Sequence, residues 1–444
     1  MKKYLKIFSI IALVFLVATT PSYAAESAFD SEETTSEFSS SFTDEKPLEF
    51  GGKLSYDIRS YLDKYDQYLK ASPELDLNLF YEKDSSELNV KLDFTEDKIE
   101  IGEAYFRLYY DSFNFLIGKK KVVWGKGDKM HIVDNLNAFD YTDFVNPDYL
   151  DRKIAEEMIK LNYYMDSGSL EVVYTPDFTP HRLALDPANP WMRADLKRQQ
   201  ALIGELPKEQ QDKLMNSLKY GGNEYGDGQL ALRYTDSYQG YDYGFSFYQG
   251  RMREPSVDIK NIAINYDRVS IIGAELSTVL ADINMKSELA YYRTKDTEGN
   301  DPALRNNRLA VIIGGDKNLP YNNLNINIQL QSNYIMANDK IKDTKIPGTG
   351  MPTDVDYRKN GEYLTNTLSL GLTDSYKRET ILPELSLAYN TGDGDYMLGA
   401  KVDFVLKDDT TLSLNYKNFG GDNDTQFGQY DENDYFAAEI EYIF

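Results

Sequence analysis

From Phe50 onward the chain is built of short runs in which apolar and polar side chains alternate, the period of a strand with one dry face and one wet face. The clearest is Leu324 to Met336. Leu324, Ile326, Ile328, Leu330, Tyr334 and Met336 share one face, and Asn325, Asn327, Gln329, Gln331 and Asn333 share the other. A row of amides opposite a row of aliphatics fits a wet lumen opposite lipid, whereas a water-facing sheet would carry charges there as often as amides. Runs of this kind predict strands at 50–62, 74–82, 86–95, 98–110, 113–123, 156–165, 168–175, 228–236, 240–250, 256–267, 269–281, 284–294, 307–315, 322–336, 362–374, 378–390, 395–406, 410–418 and 433–444. Most run about 9 to 13 residues, the length a tilted strand needs to cross a bilayer.

The expected fold is all-β: a transmembrane antiparallel up-and-down β-barrel of about 18 strands, with 16 as the alternative, carrying a partly helical loop insertion. Nineteen runs is one too many for a single-chain barrel, which closes with an even number. Counting back from Phe444 and forward from Phe50 puts the long connections on one side only if one strand is dropped. The conflict falls between Gln249 and Met285, where Asp267-Arg268 and Asp282-Ile283-Asn284 are both candidate tight turns.

Three long loops interrupt the rhythm, at 124–155, 177–226 and 337–361. The second opens with Pro176, Pro180, Pro187 and Pro190, then turns helix-like over Ala194 to Leu206 and, behind Pro207, Lys208 to Leu218. A loop of that length is uncommon without support, so it should cap the outer mouth or fold inward and narrow the lumen.

The two ends add an address. Phe436, Ala438, Ile440, Tyr442 and the terminal Phe444 fall on one strand face, with Glu439 and Glu441 on the other. This resembles the closing strand of bacterial outer-membrane β-barrels, and the resemblance implies reading by the barrel-assembly machinery. Lys2, Lys3 and Lys6 precede an apolar run from Ile7 to Val17, and Ser22-Tyr23-Ala24 supplies a cleavage site, so 1–24 is expected to be a secretory signal peptide. Residues 25–47, rich in Ser, Thr and acids, are expected to form a disordered acidic leader, leaving 48–444 as the barrel. No later stretch offers 18 apolar residues in a row, so any spanning falls to strands. There is no cysteine, which removes a lipobox anchor, disulfides and thiol chemistry.

Composition narrows the partners. The formal net charge of −24 becomes three units more negative once the signal leaves, which argues against nucleic acid as a partner. Acidic outer loops would instead meet lipopolysaccharide through divalent cations. The 36 tyrosines beside two tryptophans suit aromatic girdles at the membrane interfaces. A Tyr-rich soluble sandwich or solenoid is the bland alternative.

The densest chemistry lies in Gly118-Lys119-Lys120-Lys121-Val122-Val123-Trp124-Gly125-Lys126-Gly127-Asp128, followed by Val133-Asp134-Asn135-Leu136-Asn137. A charge on a barrel's lipid face costs about 2 to 4 kcal/mol at mid-bilayer, so at least one of the three lysines must face the lumen or sit at a rim. Lys119 or Lys121 facing Asp128 or Asp134 on a folded-in loop would create a crossed field. The alternative is an interface where the lysines meet lipid phosphates. Trp124 is expected as a girdle residue or loop anchor. Arg182 and Arg193 either pin the second long loop to lumenal acids or stay solvated. Asp393-Gly394-Asp395 and Asp422-Asn423-Asp424 suggest weak cation contact at most, and no metal or other cofactor site is assigned. His131 and His181 are the sole histidines, and with no nucleophile motif the chain is not expected to be an enzyme.

This Gly-basic lead into Trp124-Gly125, the Asp134-Asn135-Leu136-Asn137 stretch, Thr175-Pro176 with Phe178, Pro180 and Arg182, and Ile272 to Ser277 followed by Glu288-Leu289-Ala290-Tyr291 resemble a porin-like class of bacterial outer-membrane barrels of mostly unassigned function. The resemblance implies an outer-membrane porin for passive or selective diffusion of small hydrophilic solutes, its lumen narrowed by inserted loops. Lys119, Lys121, Trp124, Asp128, Asp134, Arg182, Arg193, Glu439 and Glu441 are then the constriction candidates. Lipid, lipopolysaccharide, the assembly machinery and a small solute are the expected partners, and a homo-oligomer is compatible with this reading. The rival reading is a plugged structural barrel that sheathes or docks a partner in an export or conduit assembly; a barrel hydrolase is the weaker one.

Overall fold

The computed structural model describes residues 48–62, 69–96, 98–145, 149–220, 228–258, 263–345 and 352–444. The expected signal and leader, 1–47, lie outside the described residues. Eighteen antiparallel strands close on themselves. They are β1 (Glu49–Tyr61), β2 (Leu69–Lys83), β3 (Ser86–Phe94), β4 (Ile99–Tyr109), β5 (Phe113–Lys120), β6 (Glu156–Tyr164), β7 (Gly168–Thr175), β8 (Gln229–Tyr238), β9 (Tyr241–Arg251), β10 (Arg268–Leu280), β11 (Ile283–Thr294), β12 (Arg308–Asn318), β13 (Asn325–Ile335), β14 (Leu364–Thr373), β15 (Ile381–Asn390), β16 (Tyr396–Lys407), β17 (Thr410–Gly420) and β18 (Tyr435–Ile443). Closure runs from Lys53 opposite Ile443 to Tyr61 opposite Tyr435.

The nineteenth run, 256–267, is not a barrel strand. Its alternation serves a short ribbon, Ser256–Asp258 against Ala263–Asn265, inside the connection between β9 and β10. Removing it resolves the parity conflict and gives 18, not 16. Both chain ends of the barrel then share one rim with eight turns of two to seven residues, and the long connections all leave the other, far rim. That asymmetry of short turns and long loops is the usual one for outer-membrane barrels.

Alternation decides which side chains face out. On β13, Ile328 and Leu330 are 49% and 42% exposed while Gln329 is 3% exposed, so the amides line the inside and the aliphatics the outside. The same outward belt includes Ile117, Ile159, Phe245, Ile272, Ile313, Leu385, Leu414 and Ile440. Two helices, α1 (Ala194–Gly204) and α2 (Lys208–Tyr220), occupy the connection between β7 and β8, close to where helical periodicity placed them.

Candidate functional site: a lumen divided by an inserted loop

The connection between β5 and β6, residues 121–155, leaves the far rim and turns back into the barrel. Its base is tied by Asn137, whose side chain accepts from the Val122 amide at 2.8 Å and donates to the carbonyls of Lys120 and Ile154 at 2.9 and 3.0 Å. Its tip is held by Glu288 of β11. One carboxylate oxygen accepts from the amides of Lys126 and Gly127, both at 2.8 Å, and the other from Ile132 and Val133 at 2.8 and 3.3 Å. The His131 ring adds a contact at 3.1 Å. Backbone amides converging on one buried carboxylate make a charge-assisted clamp. Gly125 admits it: its φ is +107°, and a Cβ there would lie 2.3 Å from the Glu288 oxygen.

Beyond the clamp the tip crosses to other strands. Asp128 pairs with Lys286 of β11 at 2.6 Å and accepts from Asn327 of β13 at 2.8 Å. Gln329 of β13 brackets the Asp128 backbone, accepting from its amide at 3.0 Å and donating to its carbonyl at 2.7 Å. Lys129 reaches Glu384 of β15 at 2.8 Å. The loop thus spans the lumen from β5 to β15.

One side of this partition is filled. Val122, Trp124, Ile132, Val133 and Leu136 pack against inward residues Leu116, Met158, Val173, Ala231, Val269, Ile271, Ala290 and Ile312 as a continuous apolar core. Trp124 is 1% exposed; its indole donates to Glu171 of β7 and the Arg233 guanidinium lies over its ring. It anchors the loop and belongs to no girdle. Asp134 is likewise internal to the loop, paired with Lys153 at 2.6 Å with both side chains fully buried, and accepting from Tyr149 at 2.8 Å. Burial lowers the Lys153 ammonium, and burial together with Asp134 pushes the Tyr149 phenol far above its usual range. Asp134 therefore faces no open space.

The other side keeps a polar wall on β13–β18 and β1–β4. Lys401 pairs with Asp403 at 2.9 Å, Lys91 with Asp76 at 3.3 Å, and Lys53 lies 3.8 Å from Glu441. Glu439 and Glu441 are on this inward face, opposite Asp57 and Ser55 of β1. Of the lysine trio, register puts Lys120 inward, 3.2 Å from Glu103, while Lys119 follows outward Ile117 and reaches the Ile101 carbonyl near the far rim. Lys119 is thus no lumenal residue. Lys121 begins the loop and donates to the Leu150 carbonyl at 2.9 Å.

The connection between β7 and β8 lies over the far mouth. Arg182 pairs with Asp140 at 2.8 Å and with Glu100 of β4 at 3.0 Å, tying this connection to the inserted loop and to the wall. Trp191 packs among Tyr61, Phe419, Tyr430 and Tyr435, at the seam where β1 meets β18. Asn433 donates to the Pro190 carbonyl at 2.7 Å. Arg193, in contrast, is half exposed and bound to Asp195 on its own helix start, a solvated charge. His181 accepts from the Phe139 amide at 2.9 Å, and burial holds its ring down to about 4. Arg253, which the sequence did not single out, joins loops by bonding Glu156 at 2.7 Å and the Leu136 carbonyl at 2.7 Å. Among the described residues no three His, Asp or Glu side chains converge as an ion's ligand set; Lys359 instead takes Asp424 and Asn360 takes Asp393.

No family model and no curated protein matches this chain. Solved structures similar to it include Pseudomonas aeruginosa OpdL (10% identity, TM-score 0.48, covering 89% of this chain and 97% of that one). Pseudomonas aeruginosa OccK2, solved with glucuronate, is similar at 9% identity and TM-score 0.49, over 89% and 97%. A mutant Rh. blastica porin is similar at 10% and 0.41, over 90% and 100%. The barrel itself rests on this chain's own strand pairing.

Proposed function

We propose that the protein is an outer-membrane channel for small hydrophilic solutes, with an off-axis passage between the inserted loop and the polar wall. The observation that carries this reading is the division of the lumen. Val122, Trp124, Ile132, Val133 and Leu136 of the inserted loop pack an apolar core against β5–β12, while charged and amide side chains line the remaining strands. A closed barrel of this size encloses water wherever loops do not fill it, and the outward apolar belt suits hydrocarbon. Selectivity would belong to the narrowest point, where Lys129, Asp128 and the wall charges approach one another. Lipid contact, export by a cleaved signal and recognition of the closing strand belong to the same reading.

The far-mouth cap favours a second reading, a closed structural barrel, because Trp191 fixes the β7–β8 connection to the barrel seam. Conductance separates the two. Purified protein in a planar bilayer should give discrete open channels, and deletion of 126–130 should enlarge them. Insertion without current in either form would contradict the channel.

A further inference from the structure

At the edge of the packed side, where the inserted loop leaves β5, a cavity of about 260 Å³ remains between the loop and strands β4, β5 and β6. Strand register shows how it is lined. Arg107, Leu116 and Lys160 stand opposite one another in one cross-strand row, and Asn114, Asn162 and Glu171 in the next, toward the near rim. Leu116 is 3% exposed and points inward, so both rows face the lumen. Val122 and Val123 line the cavity from the loop.

Every cation here already has an acid. Lys160 pairs with Glu171 at 2.6 Å, Lys120 with Glu103 at 3.2 Å, and Arg107 with Glu87 at 3.1 Å. The pairs balance, so the cavity asks for no net charge from a ligand. What they leave over are directed donors. An ammonium carries three N–H groups, and Lys160 and Lys120 each turn to a single carboxylate; Arg107 meets both Glu87 and the Tyr109 hydroxyl through Nη1 alone. The acids are occupied in turn: Glu87 also accepts from Tyr105 at 2.8 Å, and Glu171 from the Trp124 indole.

One acceptor stands among these donors. The Asn162 side-chain oxygen is buried and has no hydrogen-bond partner among the described residues. A buried acceptor left unmade costs free energy, which a donating ligand recovers. Beside it the Asn114 amide donates to the Tyr164 hydroxyl at 2.9 Å, leaving the phenolic proton to give. A group that accepts from an ammonium or guanidinium and donates to an amide oxygen at once is a hydroxyl. Several hydroxyls on one small frame, with C–H faces toward Val122 and Val123, match the whole lining. A bare anion leaves Asn162 unmet, and a cation meets three like charges.

We propose that this cavity binds a small neutral polyhydroxylated solute, of monosaccharide size, through Lys120, Lys160, Arg107 and Asn162. Its volume lies just below the ~300 to 1,000 Å³ of drug-sized sites, which suits one sugar ring or its open-chain alcohol. The site deepens the channel reading, on which it rests for how the solute arrives.

The test uses the full chain in a detergent without a sugar head group, and in bilayers. D-glucose, D-mannitol and acetate are titrated calorimetrically into the parent protein, N162L, V123F and the far-rim control K359Q. Glucose or mannitol should bind the parent saturably and more tightly than acetate. N162L should weaken that binding about tenfold. V123F, which fills the cavity without touching a polar group, should abolish it, with K359Q near the parent. N162L should leave the thermal midpoint unchanged or higher, since it removes an unsatisfied buried group, whereas an amide serving structure alone would lower it. Failure of both polyols to bind, tighter binding of acetate, or parent-like binding in N162L and V123F overturns the site. Single-channel recording keeps the two readings apart. Open channels from protein that binds neither polyol overturn the site and leave the channel; polyol binding by protein that gives no current overturns the channel and leaves the site.

Discussion

Two halves of one barrel wall look alike from outside and differ inside. Along β5–β12 the inward positions include Leu116, Met158, Val173, Ala231, Ile271, Ala290, Ala310 and Ile312, with the ion pairs Lys160–Glu171, Arg233–Glu275 and Lys286–Asp316 among them; along β13–β18 and β1–β4 they include Asn327, Gln329, Lys401, Asp403, Lys417, Glu439, Glu441, Lys53 and Asp76. The outward belt is apolar in both. An inward aliphatic in such a barrel marks where a loop packs, whereas an inward amide or charge either faces water or makes a directed bond to the loop, as Gln329 and Glu288 do. Burial of the loop's apolar face is worth about 25 cal/mol per Å² removed from water, and the same half adds directed bonds through Glu288, Lys286 and Glu171. Glu288 and Gln329 then fix where its tip lies.

The sharpest way to break this contrast is to remove the clamp. E288A deletes the acceptor of four backbone amides, and we expect a loss of about 4 kcal/mol together with larger, noisier channels, measured by denaturant titration and single-channel recording. Next is W191A, which empties the aromatic cluster at the seam. About 3 kcal/mol should be lost, seen as an earlier heat-modifiable gel transition, while the clamped half keeps its protection.

A pH titration separates cap from clamp more gently. His181 is held neutral, with its folded value near 4 against the usual 6.5, so the unfolded state binds the proton more readily. The stability this gives is fully present above pH 6.5 and lost as pH falls through about 4. The cap should loosen over that window, and H181Q should flatten the part of the pH profile due to this residue. The smallest effect belongs to the solvated pair at the cap's first helix: R193Q should change stability by about 0.5 kcal/mol or less.

The barrel was legible because alternation is a property of each strand by itself, and Leu324 to Met336 states both faces in its own letters. The surplus run at 256–267 misled because a short ribbon on a loop alternates as a wall strand does; parity exposed it. The divided lumen was far less legible. Whether Lys119 or Lys120 faces inward depends on register through Gly118, whose φ is +134°, and on the bulge between Lys91 and Leu92. Trp124 and Asp134 read as rim or pore residues because their partners, Glu171 and Lys153, are set by the fold. Glu288 lies more than 150 residues from the loop it holds. The signal it offered was an acid at an inward position followed by Ala290 and Tyr292, on a strand whose next inward neighbours are apolar.

The placement of the loop tip can be tested directly, because the chain has no cysteine of its own. In D128C combined with N327C, the two sulfurs replace side chains in contact at 2.8 Å between the inserted loop and β13. Oxidation of folded protein should join them, giving a band of altered mobility that reductant reverses. A pair that stays reduced, with both thiols open to a water-soluble maleimide, would place the tip outside the lumen and contradict the division of the barrel.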